Sequence, residues 1–188
     1  MTTAFFLIVL GVLARVMHLP PNVVPMGAIA LYAGAKLPRR WAFLVPMVAM
    51  AASDLWIDWG TGQPVFTLTR VSVYATFALI VAAGQFLRLP SSTGGRIGLG
   101  LGLTVGASTA FFLTTNLAVW LAPQVASPGH PTHPATFQGL MACYIGAIPF
   151  YRNALVADLC GVVVLFGLDW AVAKLSARGR IKATLAVE

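Results

Sequence analysis

Seven ionisable side chains could do chemistry in a chain that is otherwise 59% hydrophobic: Arg15, His18, Asp54, Asp58, Arg70, Arg152 and Asp158. All of them lie inside or at the ends of long apolar stretches, where a charge is expensive and is kept for a reason. Three cations, three anions and a histidine can satisfy one another or line a shared cavity. In the first case Arg152 pairs with Asp54 or Asp58, Arg15 pairs with Asp158, and Asn116 bonds between helices. In the second they form a pocket whose walls add Thr67, Thr69, Tyr74, Tyr144 and Tyr151, which carry apolar bodies and hydrogen-bonding tips. The two readings are compatible. A nearly neutral polar lining of this kind suits an amide- or hydroxyl-bearing solute better than a bare ion.

Other reactive groups are sparse. Gly129-His130-Pro131-Thr132-His133-Pro134 sets two imidazoles three residues apart in a Pro-rich loop. Neutral imidazole ligates Zn, Cu, Ni or Co, but no Cys or carboxylate lies nearby in sequence and Pro favours an extended segment, so the expectation is a plain solvated loop, with metal binding as the alternative. His18 reads either as an interface histidine or as a ligand. Cys143 and Cys160 read as small buried residues, since nothing around them marks a reactive thiolate. No G-x-S-x-G, H-E-x-x-H, P-loop or dinucleotide fingerprint is present. The expectation is a protein that is not an enzyme, with no cofactor and no dedicated metal site.

The elements that hold these residues are membrane spans. In 188 residues only 9% are charged, far below the quarter or so of a soluble domain. The net charge of +7 does not indicate nucleic acid, because the basic residues border apolar segments and form no stripe with interleaved aromatics. Six stretches approach the length of a span, at about 3–19, 23–37, 41–57, 71–88, 97–122 and 150–173. The second is short and follows Pro20, Pro21 and Asn22, so it tilts or enters only part of the bilayer. The stretch 136–148 reads as a short interfacial helix, and Gly139, Gly146 and Pro149 argue against a seventh span. The expected fold is all-α: one six-helix transmembrane domain over 1–175, followed by a basic tail, 176–188.

Nine of the twelve Lys and Arg fall in three gaps: Lys36, Arg39 and Arg40; Arg88 and Arg96; Lys174, Arg178, Arg180 and Lys182. By the positive-inside rule these gaps are cytoplasmic. Both termini are then inside, and the seven residues named first sit on or below the outer face. On the fifth span Gly98, Gly102, Gly106 and Ala110 recur every four residues and form a ridge of small side chains. It is expected to pack within the chain, with docking of a partner helix as the alternative. Gly27, Ala30 and Gly34 form a weaker ridge on the second span.

Several strings carry a resemblance. Pro20-Pro21-Asn22-Val23-Val24-Pro25-Met26-Gly27-Ala28, the stretch from Pro46-Met47 to Ser53-Asp54-Leu55, Thr114-Thr115-Asn116 with Trp120, and Ile148-Pro149-Phe150-Tyr151-Arg152-Asn153 resemble a group of small six-span bacterial membrane proteins. That group is similar to the substrate-binding S-components of energy-coupling-factor vitamin transporters, and its nearest functional relatives are the BtuM-type cobalamin uptake proteins. The resemblance implies an inner-membrane uptake protein with a pocket on the outer side, roofed by the loops after spans one, three and five. It implies a vitamin-like ligand, a corrinoid first, with Asp54, Tyr74 and Arg152 as leading contacts. Asn22, Asn116, Tyr144, Asn153, Asp158, Arg15, His18, Asp58 and Arg70 complete the expected binding set. Some BtuM-type proteins use a cysteine near the outer end of the third or fourth span as a cobalt ligand. Here Trp56 to Thr76 contains none, which leaves His18, His130 or His133 for that role. The expected partners are a small solute, the lipid bilayer and, through Gly98, Gly102 and Gly106, a docking helix. Nucleic acid is not among them.

Overall fold

The computed structural model describes residues 1–17, 20–59, 66–89, 92–126 and 132–185. His18 and His130 lie outside the described residues, as do the side chains beyond 177. Among the described residues there is no strand. The order is α1 (Thr2–Val16), α2 (Met26–Lys36), α3 (Arg39–Ile57), α4 (Leu68–Gly84) with a 3-10 turn at Gln85–Arg88, α5 (Thr93–Ala126) and α6 (Phe137–Leu185). Four segments are long and apolar enough to cross a membrane: Arg39–Ile57, Leu68–Arg88, Gly94–Pro123 and Phe137–Ala177; α1 is apolar but shorter. Large apolar side chains such as Phe5, Leu79, Ile97, Val163 and Leu168 face outward. Apolar surface on this scale belongs in lipid, and marks the chain as a membrane-embedded helix bundle.

The second apolar stretch is not a full crossing. Its helix begins only after Pro25 and has 11 residues, about 16 Å of rise against a hydrocarbon core of about 30 Å. Every residue from Met26 to Gly34 is buried, because α3, α4 and α6 all pack around it. The ridge of small residues along α2 makes this enclosure possible. A Cβ at Gly34 would strike the Val81 carbonyl of α4, and a Cβ at Gly84 would strike the Leu31 carbonyl of α2. The two helices thus cross with backbone against backbone.

At the other extreme, α6 has 49 residues and runs through Pro149 without a break. The separate interfacial helix expected over 136–148 is therefore the first part of α6. Proline forfeits one hydrogen bond, whereas breaking the helix in lipid would strand several polar groups, so continuity is the cheaper outcome. At about 73 Å the helix is more than twice the thickness of the hydrocarbon core, and 176–185 is its last portion.

The three basic gaps converge as their sorting requires. The Arg88 guanidinium donates to the carbonyls of Gly34 (2.7 Å) and Leu37 (2.6 Å), and Lys36 pairs with Asp169 of α6 at 2.6 Å. This is the basic end of the bundle. The C-terminus of α1 and the N-termini of α2 and α4 lie at the opposite end.

The α5 ridge departs from its expected role. Cβ atoms added at Gly98, Gly102 and Gly106 would meet nothing within 4 Å, so the ridge packs against no other part of the described chain. Helix α5 instead turns Thr104, Ala107 and Ser108 inward, and it is this face that meets α4 and α6.

Candidate functional site

Two polar centres occupy the end opposite the basic one. The first joins α1, α3 and α4. Arg15, in the last turn of α1, donates to Ser53 Oγ at 2.6 Å and forms an ion pair with Asp54 Oδ1. Arg70, in the first turn of α4, pairs with Asp58 and approaches Asp54 Oδ2 at 3.5 Å. Tyr74 donates its hydroxyl to the same Oδ2 at 3.0 Å. Thr67 caps α4 by accepting from the Arg70 amide at 3.1 Å, which fixes the turn that carries Arg70. Two arginines and two aspartates neutralise each other here, one helix to the next. The expected Arg15–Asp158 and Arg152–Asp54 or Asp58 pairs are not formed. Arg15 lies closer in space to the end of α3 than to α6, and Arg152 is an exposed residue of α6 with no ion pair among the described residues.

The second centre is Asp158, only 6% exposed at the middle of α6. Its Oδ1 accepts from the Ala28 amide at 3.0 Å and its Oδ2 from the Ser108 hydroxyl at 2.9 Å. Ala28 is in the first turn of α2, where amides have no helical partner, and no side chain of the local sequence caps them. Asp158 therefore caps α2 from a different helix, with its charge at the positive end of the helix dipole. The close approach requires glycine at 27, since a Cβ there would overlap the carboxylate. Gly161 serves the same contact, because its Cβ would come within 2.7 Å of Pro25 and 2.8 Å of Ala28. Arg88 performs the matching cap at the carbonyl end of α2.

Two cavities flank these centres. A small one of about 80 Å³ is lined by Arg15, Asn22, Gly27, Phe77, Phe111 and Asp158 among others. A larger one of about 250 Å³ lies between α4, α5 and α6, against Phe111, Phe112, Asn116, Phe150 and Tyr151, with Asn22 and Thr69 also lining it. Asn22, Phe111 and Ala154 line both. Asn22 takes a left-handed conformation, φ 61°, which Asn tolerates better than most residues. It is set in place as Asn153 of α6 donates to the carbonyl of Pro21 at 2.9 Å.

The expected binding residues therefore divide. Asn22 and Asn116 line the larger cavity, and Arg15, Asn22 and Asp158 the smaller one. Asp54, Asp58, Arg70 and Tyr74 form the ion cluster and line neither cavity. Tyr144 donates to the Leu113 carbonyl at 2.7 Å and supports α5 from behind. Asn116 bonds within its own helix, to the Phe112 carbonyl at 2.8 Å, and not between helices. Among the described residues no group of three or more His, Cys, Asp or Glu could hold a metal ion.

Ser108 and Asp169 carry no motif in the sequence, and Thr115 stands there only as the middle of Thr114-Thr115-Asn116. Ser108 and Thr115 line the larger cavity. Asp169 accepts from Tyr32 at 3.2 Å besides pairing with Lys36. The signal for Asp169 was its spacing: eleven residues after Asp158 is three helical turns, which returns to the same face. Both ends of α2 are thus gripped by acids on one face of α6.

A family model described as a family of unknown function (DUF6580) matches residues 1–179. No curated protein and no solved structure matches the chain.

Proposed function

For this chain, which belongs to the DUF6580 family of unknown function, we propose a solute-binding uptake protein of the cytoplasmic membrane. By the positive-inside rule the basic end faces the cytoplasm, with both termini there. The four long helices then cross the bilayer fully, while the 15-residue α1 and the 11-residue α2 each span part of it. The larger cavity faces outward and takes a vitamin-like solute, which is released inward by rocking of the helices around it. The observation that carries this reading is the cavity of about 250 Å³ at the end opposite the basic residues, walled by aromatic rings and uncharged polar side chains. Its volume falls just under the range of about 300–1,000 Å³ that encloses drug-sized ligands. A small ring-bearing solute fits it closed, and a corrinoid would require the walls to part.

The experiment is mass spectrometry of small molecules retained by the purified protein, with Ala154→Phe as the comparison. Ala154 lines both cavities, and a phenyl ring there would fill them. A solute held by the wild type and lost from the variant supports the reading; equal retention by both sinks it. Growth of a cobalamin auxotroph on limiting vitamin separately decides the corrinoid.

A second reading rests on the α5 ridge. Gly98, Gly102 and Gly106 form an unfilled seam that can receive a transmembrane helix of another chain, which makes this protein a docking subunit. A stoichiometric partner that co-purifies with the wild type and is lost from Gly102→Leu would favour it.

A further inference from the structure

The larger cavity differs from an ordinary polar pocket in which of its hydrogen-bonding capacities are already used. Ser108 donates its hydroxyl hydrogen to Asp158 at 2.9 Å, and Thr115 donates to the Phe111 carbonyl at 2.7 Å. Thr109 spends its own hydrogen on the Val105 carbonyl at 2.8 Å, so in its 2.9 Å bond with Tyr151 the tyrosine is the donor. Asn116 commits one amide hydrogen to Phe112. A hydroxyl has one hydrogen and two lone pairs. Ser108, Thr115 and Tyr151 therefore have only lone pairs left for a bound molecule, and Asn116 keeps its oxygen and a single hydrogen.

The charge around the cavity has the same sense. No residue lining it is charged. Directly behind Ser108 is the Asp158 carboxylate, which has no cationic partner among the described residues and is offset only by the partial charge at the N-terminus of α2. Arg15, the one cation on the adjoining small cavity, is engaged by Ser53 and Asp54. In a low-dielectric setting an uncompensated carboxylate acts over several ångströms. The remaining wall is apolar, with Val119, Ala147 and Ala154 beside the rings of Phe111, Phe112, Phe150 and Tyr151. Ring faces attract cations and repel anions.

Resting on the reading of this cavity as the solute site, we propose that it selects a flat-ring solute bearing a positively charged amino group and rejects anions. The amino group brings donors to the lone pairs of Ser108, Thr115 and Asn116, and the ring lies among the phenylalanines. Hydroxyl or amide edges of the same solute are met by Asn22 and Thr69. A carboxylate or phosphate would find donors only at Asn116, Asn22 and Thr69, and would face lone pairs and a buried anion at Ser108, Thr115 and Tyr151.

The test is a series of three probes of matched size and different charge: benzylammonium, benzyl alcohol and benzoate. Binding is measured by isothermal titration to the protein in lipid nanodiscs, with partitioning into empty discs subtracted. Benzylammonium is expected to bind at least tenfold more tightly than benzyl alcohol, and benzoate not measurably. In Asp158→Asn, which keeps an acceptor for the Ala28 amide, the gap between cation and alcohol should close to less than threefold. Ser108→Ala, which leaves the cap on α2 in place, should weaken benzylammonium alone. Comparable affinity for all three probes, or a preference for benzoate, overturns the charge selectivity while leaving the cavity as a solute site. No binding of any ring probe overturns the solute site and the selectivity with it.

Discussion

Asp54 and Asp158 are two acids at the same end of one bundle, both largely withdrawn from solvent, and their surroundings are opposite. Asp54 sits between two arginines and a tyrosine that belong to neighbouring helices. Its charge is cancelled where it stands. Asp158 has a backbone amide and a serine, so its charge is held in place but not cancelled. An acid neutralised by its neighbours fastens helices and offers little to a ligand. An acid held only by dipoles keeps a field that reaches the adjoining cavity. The type of the residue does not separate the two; the donors around it do.

Substitutions can break this contrast, and their expected costs fall in order. The largest belongs to Asp158→Leu, which leaves the Ala28 amide and the Ser108 hydroxyl buried without their acceptor. A loss of about 3 kcal/mol is expected in unfolding of the purified protein, while Asp158→Asn should lose less than about 1.5 kcal/mol. Gly27→Val should be as damaging as Asp158→Leu, since it drives a side chain into the same carboxylate. Next comes Arg15→Met, at about 2 kcal/mol, below the full cost for a buried pair because the Arg15 side chain is 23% exposed. The double variant Arg15→Met with Asp54→Leu should recover most of that loss, and a thermodynamic cycle measures the difference. Arg88→Met should cost about 1 kcal/mol by freeing the Gly34 and Leu37 carbonyls, and amide exchange in the last turn of α2 should quicken. Smallest is Arg152→Ala, an exposed side chain, which should stay within about 0.5 kcal/mol.

Much of the architecture could be read from charge and apolar length. The three basic gaps meet at one end because Lys36, Arg88 and the stretch near Asp169 must share an aqueous boundary, and sorting of charge along the chain reports that directly. The brevity of α2 is visible in Pro20, Pro21 and Asn22, though its start after Pro25 is not. The partners were not visible. Asp158 bonds to a backbone amide 130 positions away, and a backbone amide has no residue type to betray it. Arg15 and Asp158 carry opposite charges at the same end, but the packing of α1 on α3 puts Ser53 and Asp54 nearer to Arg15. The α5 ridge shows the converse limit. Small residues at four-residue spacing say that close packing is possible, but not whether the surface that fills the seam belongs to this chain. The cavity wall was half legible: Asn22, Asn116 and Tyr151 stand out as polar groups in apolar sequence, but Ser108 and Thr115 look like any helical hydroxyl that bonds back to its own helix.

The most direct test sets the two acids against each other in one binding measurement. Affinity for benzylammonium is compared among the wild type, Asp158→Asn and Asp54→Asn in lipid nanodiscs. If the uncancelled carboxylate supplies the field at the cavity, Asp158→Asn should weaken binding at least tenfold and Asp54→Asn less than threefold. Equal losses in the two variants, or a larger loss at Asp54, would contradict that assignment.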